Sequence, residues 1–426
     1  MKLFLIFIGR HVVTVVVHRV FRLPAFAAIS RPCPPCRRRQ RLCAPPQAAL
    51  VAVMLSGMRK SVQTELDEFF AHLKEQAQLM HHVSEQAFAK ARAKPSATAI
   101  PALNDWLVAR ADADGFVPRW RGRRLVAADA STLCFGRRAS HVARAASADQ
   151  IAFGLYLPGA EMMLAASLHS VHEDERQMLF PHLDRLGGDD LLLMDRGYPS
   201  RWLVAVLNAR GIGFCMRVEK GGNSGFACVR DFLRSDAHDK IVTLAAPDRR
   251  DASDYECPAT PQTVRLVRHV ASTGNVRVLM TNLLDPTAFP GADFGDLYHQ
   301  RWRIEEAFKR LKHRLNREHV SGMSQQATMH DFAAKIVCDN LQSLATETAL
   351  RDAALPPTRR INRAAAHSIL KPLLPALLLG ADIATRLIEA LQLIAGRTYS
   401  HRPGIIKSKP RVARPKPHKS MSLKPC

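Results

Sequence analysis

The alternation of apolar and polar positions divides the chain into a helical start, a strand-rich middle and a helical end. Residues 61–80 place Leu66, Phe69, Phe70 and Leu73 at helical spacing. Residues 84–110 continue as helical pieces broken at Pro95 and Pro101. The period then changes. Residues 124–128 read as a short buried strand ending at Asp129. Residues 151–157 and 162–168 read as two more, with Pro158 and Gly159 at the turn. Met178, Leu179, Leu183 and Leu186 form a helical pattern over 172–186, which Gly187 and Gly188 end. Residues 190–194 are an apolar strand that stops at Asp195, followed by a helix over 200–210 and a strand over 212–218. This order predicts an α/β fold, a mixed sheet with helices on its faces. Residues 223–293 alternate as short strands with loops between, a long helix starts near Phe294, and further helices run from about 328 to 395.

Composition refines this division. The chain of 426 residues is long enough for two or three domains. Its net charge is +23, which suits a polyanionic partner. The charge is unevenly placed, however. Residues 1–58 and 397–426 each hold nine Lys/Arg and no acid, which leaves +5 for the body. Two basic ends on a near-neutral enzyme give the same total, so charge alone does not establish DNA binding. Cys33 and Cys36 form a C-x-x-C with Cys43 beyond, but zinc needs four ligands and the neighbouring Pro and Arg residues supply none. Scattered cysteines fit a reducing cytoplasm. The apolar start is interrupted by Arg10 and His11 and lacks a clean cleavage site, and no stretch predicts a membrane span. Amphipathic order begins near Arg59. The expectation is therefore a true start at Met54 or Met58, with 1–53 derived from upstream DNA. The expected organisation is a disordered or mis-assigned leader (1–58), a helical N-terminal domain (59–118), an α/β core in two parts (119–222 and 294–330), a β-rich insertion (223–293), a helical C-terminal region (331–396) and a basic disordered tail (397–426).

The richest segment is 297–322. On one continuous helix, Tyr298, Arg301, Glu305 and Lys312 share an arc of roughly 60°. Ile304, Ala307, Phe308, Leu311 and Leu315 form an apolar stripe, and Arg303, Lys309, Arg310, His313 and Arg314 a basic face. An amphipathic helix with i,i+4 ion pairs such as Arg301 with Glu305 has the same pattern. Asp129 and Asp195 change the balance. A carboxylate just past a buried strand lies at the sheet edge, where α/β folds bind ligands, although such an Asp also serves as a cap or turn residue. Three carboxylates can hold two Mg²⁺ ions, which activate a nucleophile and stabilise the leaving oxygen of a phosphodiester.

The spacing Tyr298-x₂-Arg301-x₃-Glu305-x₆-Lys312 resembles the Tyr–Arg–Glu–Lys signature of the insertion sequence four family of DDE transposases. The Asp-Ala-Ser-Thr-Leu run at Asp129 and the Asp-Arg-Gly-Tyr run at Asp195 resemble that family's two aspartate motifs, and the β-rich insertion is also its arrangement. The resemblance covers about 59–400. It implies an RNase H-like core, with Asp129, Asp195 and Glu305 as the catalytic, metal-binding triad for Mg²⁺, or Mn²⁺ in its place. It implies that Tyr298, Arg301 and Lys312 contact the phosphates of the element's end, and that the helical N-terminal domain binds terminal inverted repeats in double-stranded DNA. Cut-and-paste transposition through a hairpin, strand transfer into target DNA, a synaptic homodimer and a cytoplasmic, nucleoid-associated location follow from it too.

One departure concerns the hairpin step. Relatives use a Trp in the insertion to extrude a base, whereas the tryptophans here are Trp106, Trp120, Trp202 and Trp302. Phe226, Phe232 and Tyr255 are the aromatic alternatives. Trp302 has two open roles, stacking on a base and packing against the insertion. Arg196 also has two, binding a phosphate and pairing with a carboxylate. Lys309, on the basic face, is a further candidate DNA contact. Two other readings of the chain compete: a catalytically decayed DNA-binding relative, and a glycosidase using Asp129 and Glu305. The glycosidase reading leaves the basic face beside Glu305 without a purpose.

Overall fold

The computed structural model describes residues 47–133, 150–218, 225–270, 274–313, 324–356, 358–379 and 383–400. In chain order the helices and strands are α1 (Gln47–Leu55), α2 (Val62–Leu73), α3 (Glu85–Arg92), α4 (Ala99–Ala113), β1 (Arg119–Trp120), β2 (Arg123–Leu133), β3 (Gln150–Leu157), β4 (Met162–Ser170) and α5 (Glu175–Leu179). There follow β5 (Asp190–Met194), α6 (Arg201–Ala209), β6 (Gly213–Val218), α7 (Ala227–Arg234), β7 (Asp239–Leu244), α8 (Arg249–Asp254), β8 (Gln262–Val270) and β9 (Val276–Thr281). The last are α9 (Phe294–His299), α10 (Trp302–His313), α11 (Gln325–Asp352), β10 (Arg359–Ile361), α12 (Arg363–Leu370), α13 (Leu374–Leu378), α14 (Ala384–Gly396) and β11 (Thr398–Ser400).

These elements form two compact units. One is helical and joins the described residues of 47–116 with those of 309–400; the other holds the sheet. The N-terminal and C-terminal helices, read from sequence as separate domains, thus share one unit. Its long helix α11 packs against α1, α4, α12 and α14. Two of the polar residues buried along α11 are paired across the unit: Asp339 with Arg363 (3.3 Å), and Asn340 with Asn104 (2.7 Å).

Three corrections to the expected elements belong to this unit. Residues 49–55, expected to lie outside the folded protein, are buried in α1. A helix apolar on every face has no amphipathic period to mark it in the sequence. Pro101 does not break α4, because it sits in the first turn, where a missing N–H costs nothing. Residues 398–400 belong to β11, which pairs with β10, so the folded chain reaches four residues into the expected tail. Residues 1–46, with their C-x-x-C, and 401–426 lie outside the described residues.

The other unit is a nine-stranded mixed sheet in the order β4-β3-β2-β5-β6-β9-β8-β7, with β1 on β2. At its centre β2, β5 and β6 run parallel. Every residue of β5 is buried, as a strand covered on both faces requires. The strands expected in 223–293 appear as β7, β8 and β9, which extend this same sheet antiparallel beyond β6, accompanied by α7 and α8. The buried Arg265 of β8 clamps the sheet's outer part, pairing with Asp239 (Nε to Oδ1 2.7 Å) and donating to the carbonyls of Leu283 and Phe289. The helix expected over 172–186 is shorter. The α-helix α5 gives way to a 3₁₀ turn at Phe180–Arg185, where Pro181 cannot supply an α-helical N–H.

Candidate active site

The parallel pair β2–β5 sets the positions of both expected aspartates. Arg124 donates twice to the Asp190 carboxylate, at 2.6 and 2.9 Å, and these two residues are also backbone partners. The forked contact pins the register. That register pairs Ala127 with Leu193, and two residues further it brings Asp129 abreast of Asp195. Strand neighbours in register lie about 4.8 Å apart and project to one face. Asp129 lies inside β2 rather than past its end. The strand runs on to Leu133 after β5 has stopped, because its other edge neighbours β3. Asp195 is the first residue after β5, and its Oδ1 accepts the Gly197 N–H at 2.7 Å. A Cβ on Gly197 would stand 3.1 Å from that oxygen, which favours glycine there.

The third expected carboxylate comes from the segment after β9. Here the single continuous helix assumed from sequence is interrupted. Gln300 and Arg301 donate to the carbonyls three residues back, at 3.1 Å each, and the chain tightens between α9 and α10. Tyr298 therefore belongs to a different helix from Glu305. Within α10 the expected apolar stripe of Ile304, Ala307, Phe308 and Leu311 is buried. Phe308 lies over β3 where a Cβ on Gly154 would stand 3.2 Å from its ring, and Arg303 donates to the Pro158 carbonyl at 2.8 Å. These contacts hold α10 on the sheet with Glu305 half-buried. Residues 314–323, including Leu315, lie outside the described residues.

Arg301 is the hub of this site. It is 6 % exposed; one guanidinium nitrogen donates to Glu305 Oε1 at 3.0 Å, and the other stands 3.9 Å from Asp129 Oδ2. Its Cζ lies 5.9 Å from the ring centres of both Tyr298 and Trp302. Burial works against its charge, but Tyr298, Asp129, Asp195 and Glu305 together raise its pKa. Burial also raises Asp129, to about 7. Arg301 and the Ala130 N–H oppose this shift, while the negative charges of Glu175 and Glu305 add to it. Tyr298 is buried and pushed up to about 12, chiefly by desolvation.

The other expected residues are placed differently from one another. Trp302 is 48 % exposed, and Arg196 and Lys309 are exposed. Lys312 is half-buried two turns beyond Glu305 on α10. Of the aromatic alternatives in 223–293, Phe232 is buried beneath Arg268, and Tyr255 stacks on Trp202 at 3.7 Å.

Sequence reasoning missed Glu175, the first residue of α5. Burial and the Asp195 charge raise its pKa, and the Tyr198 hydroxyl beside it works the other way. An acid in a helix's first turn satisfies the helix dipole, so its type and position alone did not single it out. Tyr198 was visible in the motif, but its burial was not. Among the described residues no three His, Cys, Asp or Glu groups lie close enough to hold a metal ion between them. No helix among them is long and apolar enough to cross a membrane.

Comparison with known proteins supplies a family. Residues 120–341, more than half of the chain, match the family described as "Transposase DDE domain". Transposase InsG for insertion sequence element IS4 of Escherichia coli (strain K12) is 25 % identical over 167 residues. That match spans 39 % of this chain and 37 % of the relative. The cryo-EM structure of the piggyBac transposase synaptic complex with hairpin DNA aligns at 10 % identity and a TM-score of 0.45, over 96 % of this chain and 88 % of that one. On the family match across β1 to α11, the chain belongs to the transposase DDE domain family.

Proposed function

We propose that this protein is a divalent-metal-dependent DNA transposase. It would cut the ends of an insertion sequence at their inverted repeats and join them to target DNA. In this reading the sheet is an RNase H-like core, and Asp129, Asp195 and Glu305 are the catalytic carboxylates. The observation that carries it is the parallel β2–β5 register, which continued two residues beyond Ala127 and Leu193 sets Asp129 abreast of Asp195, with Arg301 linking Asp129 to Glu305.

The donor set fits a hard cation. It is all carboxylate oxygen, and the raised pKa of Asp129 reflects, beside its burial, a mutual repulsion that a bound cation would relieve. Asp129, Asp195 and Glu305 would hold Mg²⁺ or Mn²⁺. Bound there, the metal supplies Lewis-acid activation of a water or 3′-hydroxyl and stabilisation of the leaving oxygen. The chain's own contribution is positional. The β2–β5 register holds the aspartates side by side, and the α10–β3 packing fixes Glu305. Arg301, set between Glu305 and Asp129, would offer a guanidinium fork suited to a phosphate. The exposed Arg196, Lys309 and Trp302, with Lys312, would meet the DNA backbone and bases. A homodimer that synapses the two ends, working on bacterial DNA in the cytoplasm, completes the reading.

The test is a plasmid excision assay on the gene with its native flanking DNA. Wild type should release the element in a Mg²⁺-dependent reaction. Glu305→Gln should release none and still bind the flanks, because it removes a metal ligand and not a phosphate contact. Release by Glu305→Gln at the wild-type level would overturn the assignment. Binding without release by wild type would favour a decayed relative.

A further inference from the structure

Glu175 stands at the same end of the sheet as the proposed catalytic carboxylates, on an element that none of the sequence motifs includes. Its Oε2 lies 3.7 Å from the point a Cβ on Gly197 would occupy, and Asp195 Oδ1 lies 3.1 Å from that point. The two carboxylates therefore flank the same small space, and the Gly197 side chain that would fill it is a hydrogen. Glu175 acts electrostatically on Asp129 as well as Asp195. With Glu305 this makes four carboxylates around the single guanidinium of Arg301.

A second observation points to a ligand. Tyr198 is 0 % exposed, and its hydroxyl has no partner in full hydrogen-bonding geometry. The charges that act on it are those of Glu175, Asp129 and Asp195, so the hydroxyl faces this group. It lies beside Glu175, within reach of that carboxylate and favouring its ionised form, though outside full hydrogen-bonding geometry. An unmade bond on a fully buried hydroxyl is costly, and a water on a bound cation would satisfy it.

We propose that Glu175 is a fourth acidic ligand of the cation site, sharing one divalent ion with Asp195. The proposal rests on the metal-dependent reading of the site. It gives α5, which the sheet carries directly after β4, a role in assembling the site.

Mn²⁺ titration of the full chain without DNA, with free Mn²⁺ read by electron paramagnetic resonance, tests it. Wild type should bind Mn²⁺, and Asp129→Asn and Glu175→Gln should each weaken binding by roughly tenfold or more. Tyr198→Phe should leave the affinity within about twofold of wild type, because the hydroxyl would touch a water and not the ion. If Asp129→Asn weakens binding and Glu175→Gln does not, the fourth ligand is refuted and the metal reading stands. If wild type binds no Mn²⁺, or neither variant weakens binding, both fall. Should Glu175→Gln lose its circular dichroism signature, Glu175→Asp is read in its place, since it keeps the charge but withdraws it by one methylene. Wild-type affinity in that variant refutes the proposal equally.

Discussion

The raised pKa of Asp129 makes the stability of the metal-free protein depend on pH in a sense opposite to that of a salt-bridged carboxylate. Asp129 titrates near 7 in the folded chain, against 3.8 as its ordinary value. The folded state therefore holds this proton more tightly than the unfolded state. Stability from this group is fully present below about pH 4 and is lost as the pH rises to about 7. Three pKa units correspond to about 4 kcal/mol in all, an upper figure because Arg301 stands beside the carboxylate and the side chain is 15 % exposed. Asparagine at this position is a fixed mimic of the protonated acid. Asp129→Asn should therefore be more stable than wild type, and its advantage should widen by about 2 to 3 kcal/mol between pH 5 and pH 7.5. Urea unfolding in EDTA, followed by tryptophan fluorescence, measures this. Trp120, Trp202 and Trp302 lie in the sheet unit and report its unfolding. Mn²⁺ at saturating concentration should cancel the advantage, because it stabilises only the charged form. A gap that stays constant across this pH range, or wild type the more stable at pH 7.5, would refute the burial argument.

Two further outcomes follow from the same geometry. Arg301→Lys should lower thermal stability by about 1–3 kcal/mol and fail to support excision, because a point charge cannot serve Glu305 and Asp129 with separate nitrogens; differential scanning calorimetry at neutral pH reads the loss. Deleting residues 401–426 removes eight Lys/Arg while sparing β11, so it should flatten the salt dependence of DNA affinity by about 0.9 for each phosphate those side chains neutralise, and an unchanged slope would show that this segment does not touch DNA.

Much of the sheet was legible because its strands carry their signal locally. The apolar run of β5 bounded by Gly188 and Asp195, and the paired strands around Pro158 and Gly159, are short segments between turn residues. What remained hidden depends on partners distant in the chain. No local pattern in 239–281 says that β9 will pair with β6 and make β7–β9 the edge of one sheet, since antiparallel strands read alike in a separate domain and in an extension. The burial of α1 depends on α11, nearly three hundred residues away, and α1's uniform apolarity carries no phase.

The site was legible to a different depth at each residue, for a physical reason. Asp129 and Asp195 stood out because a charge directly after an apolar run is costly unless it has a use, and Glu305 because it shares a helix with a phased stripe and a basic face. Arg301 was placed on that helix's polar arc, yet it is buried in a tightened turn. A 100° wheel has no way to represent a change from i,i−4 to i,i−3 bonding, so the error begins at Gln300 and moves Tyr298 onto another helix. Glu175 lay beyond such reasoning altogether. Its local setting, the start of a short helix after an Asp cap, already accounts for an acid, and only the fold brings it beside Asp195 and the buried Tyr198 hydroxyl. Charges that meet through the sheet rather than along the chain leave no spacing to read, so the least legible part of this site is the part where its carboxylates repel one another most directly.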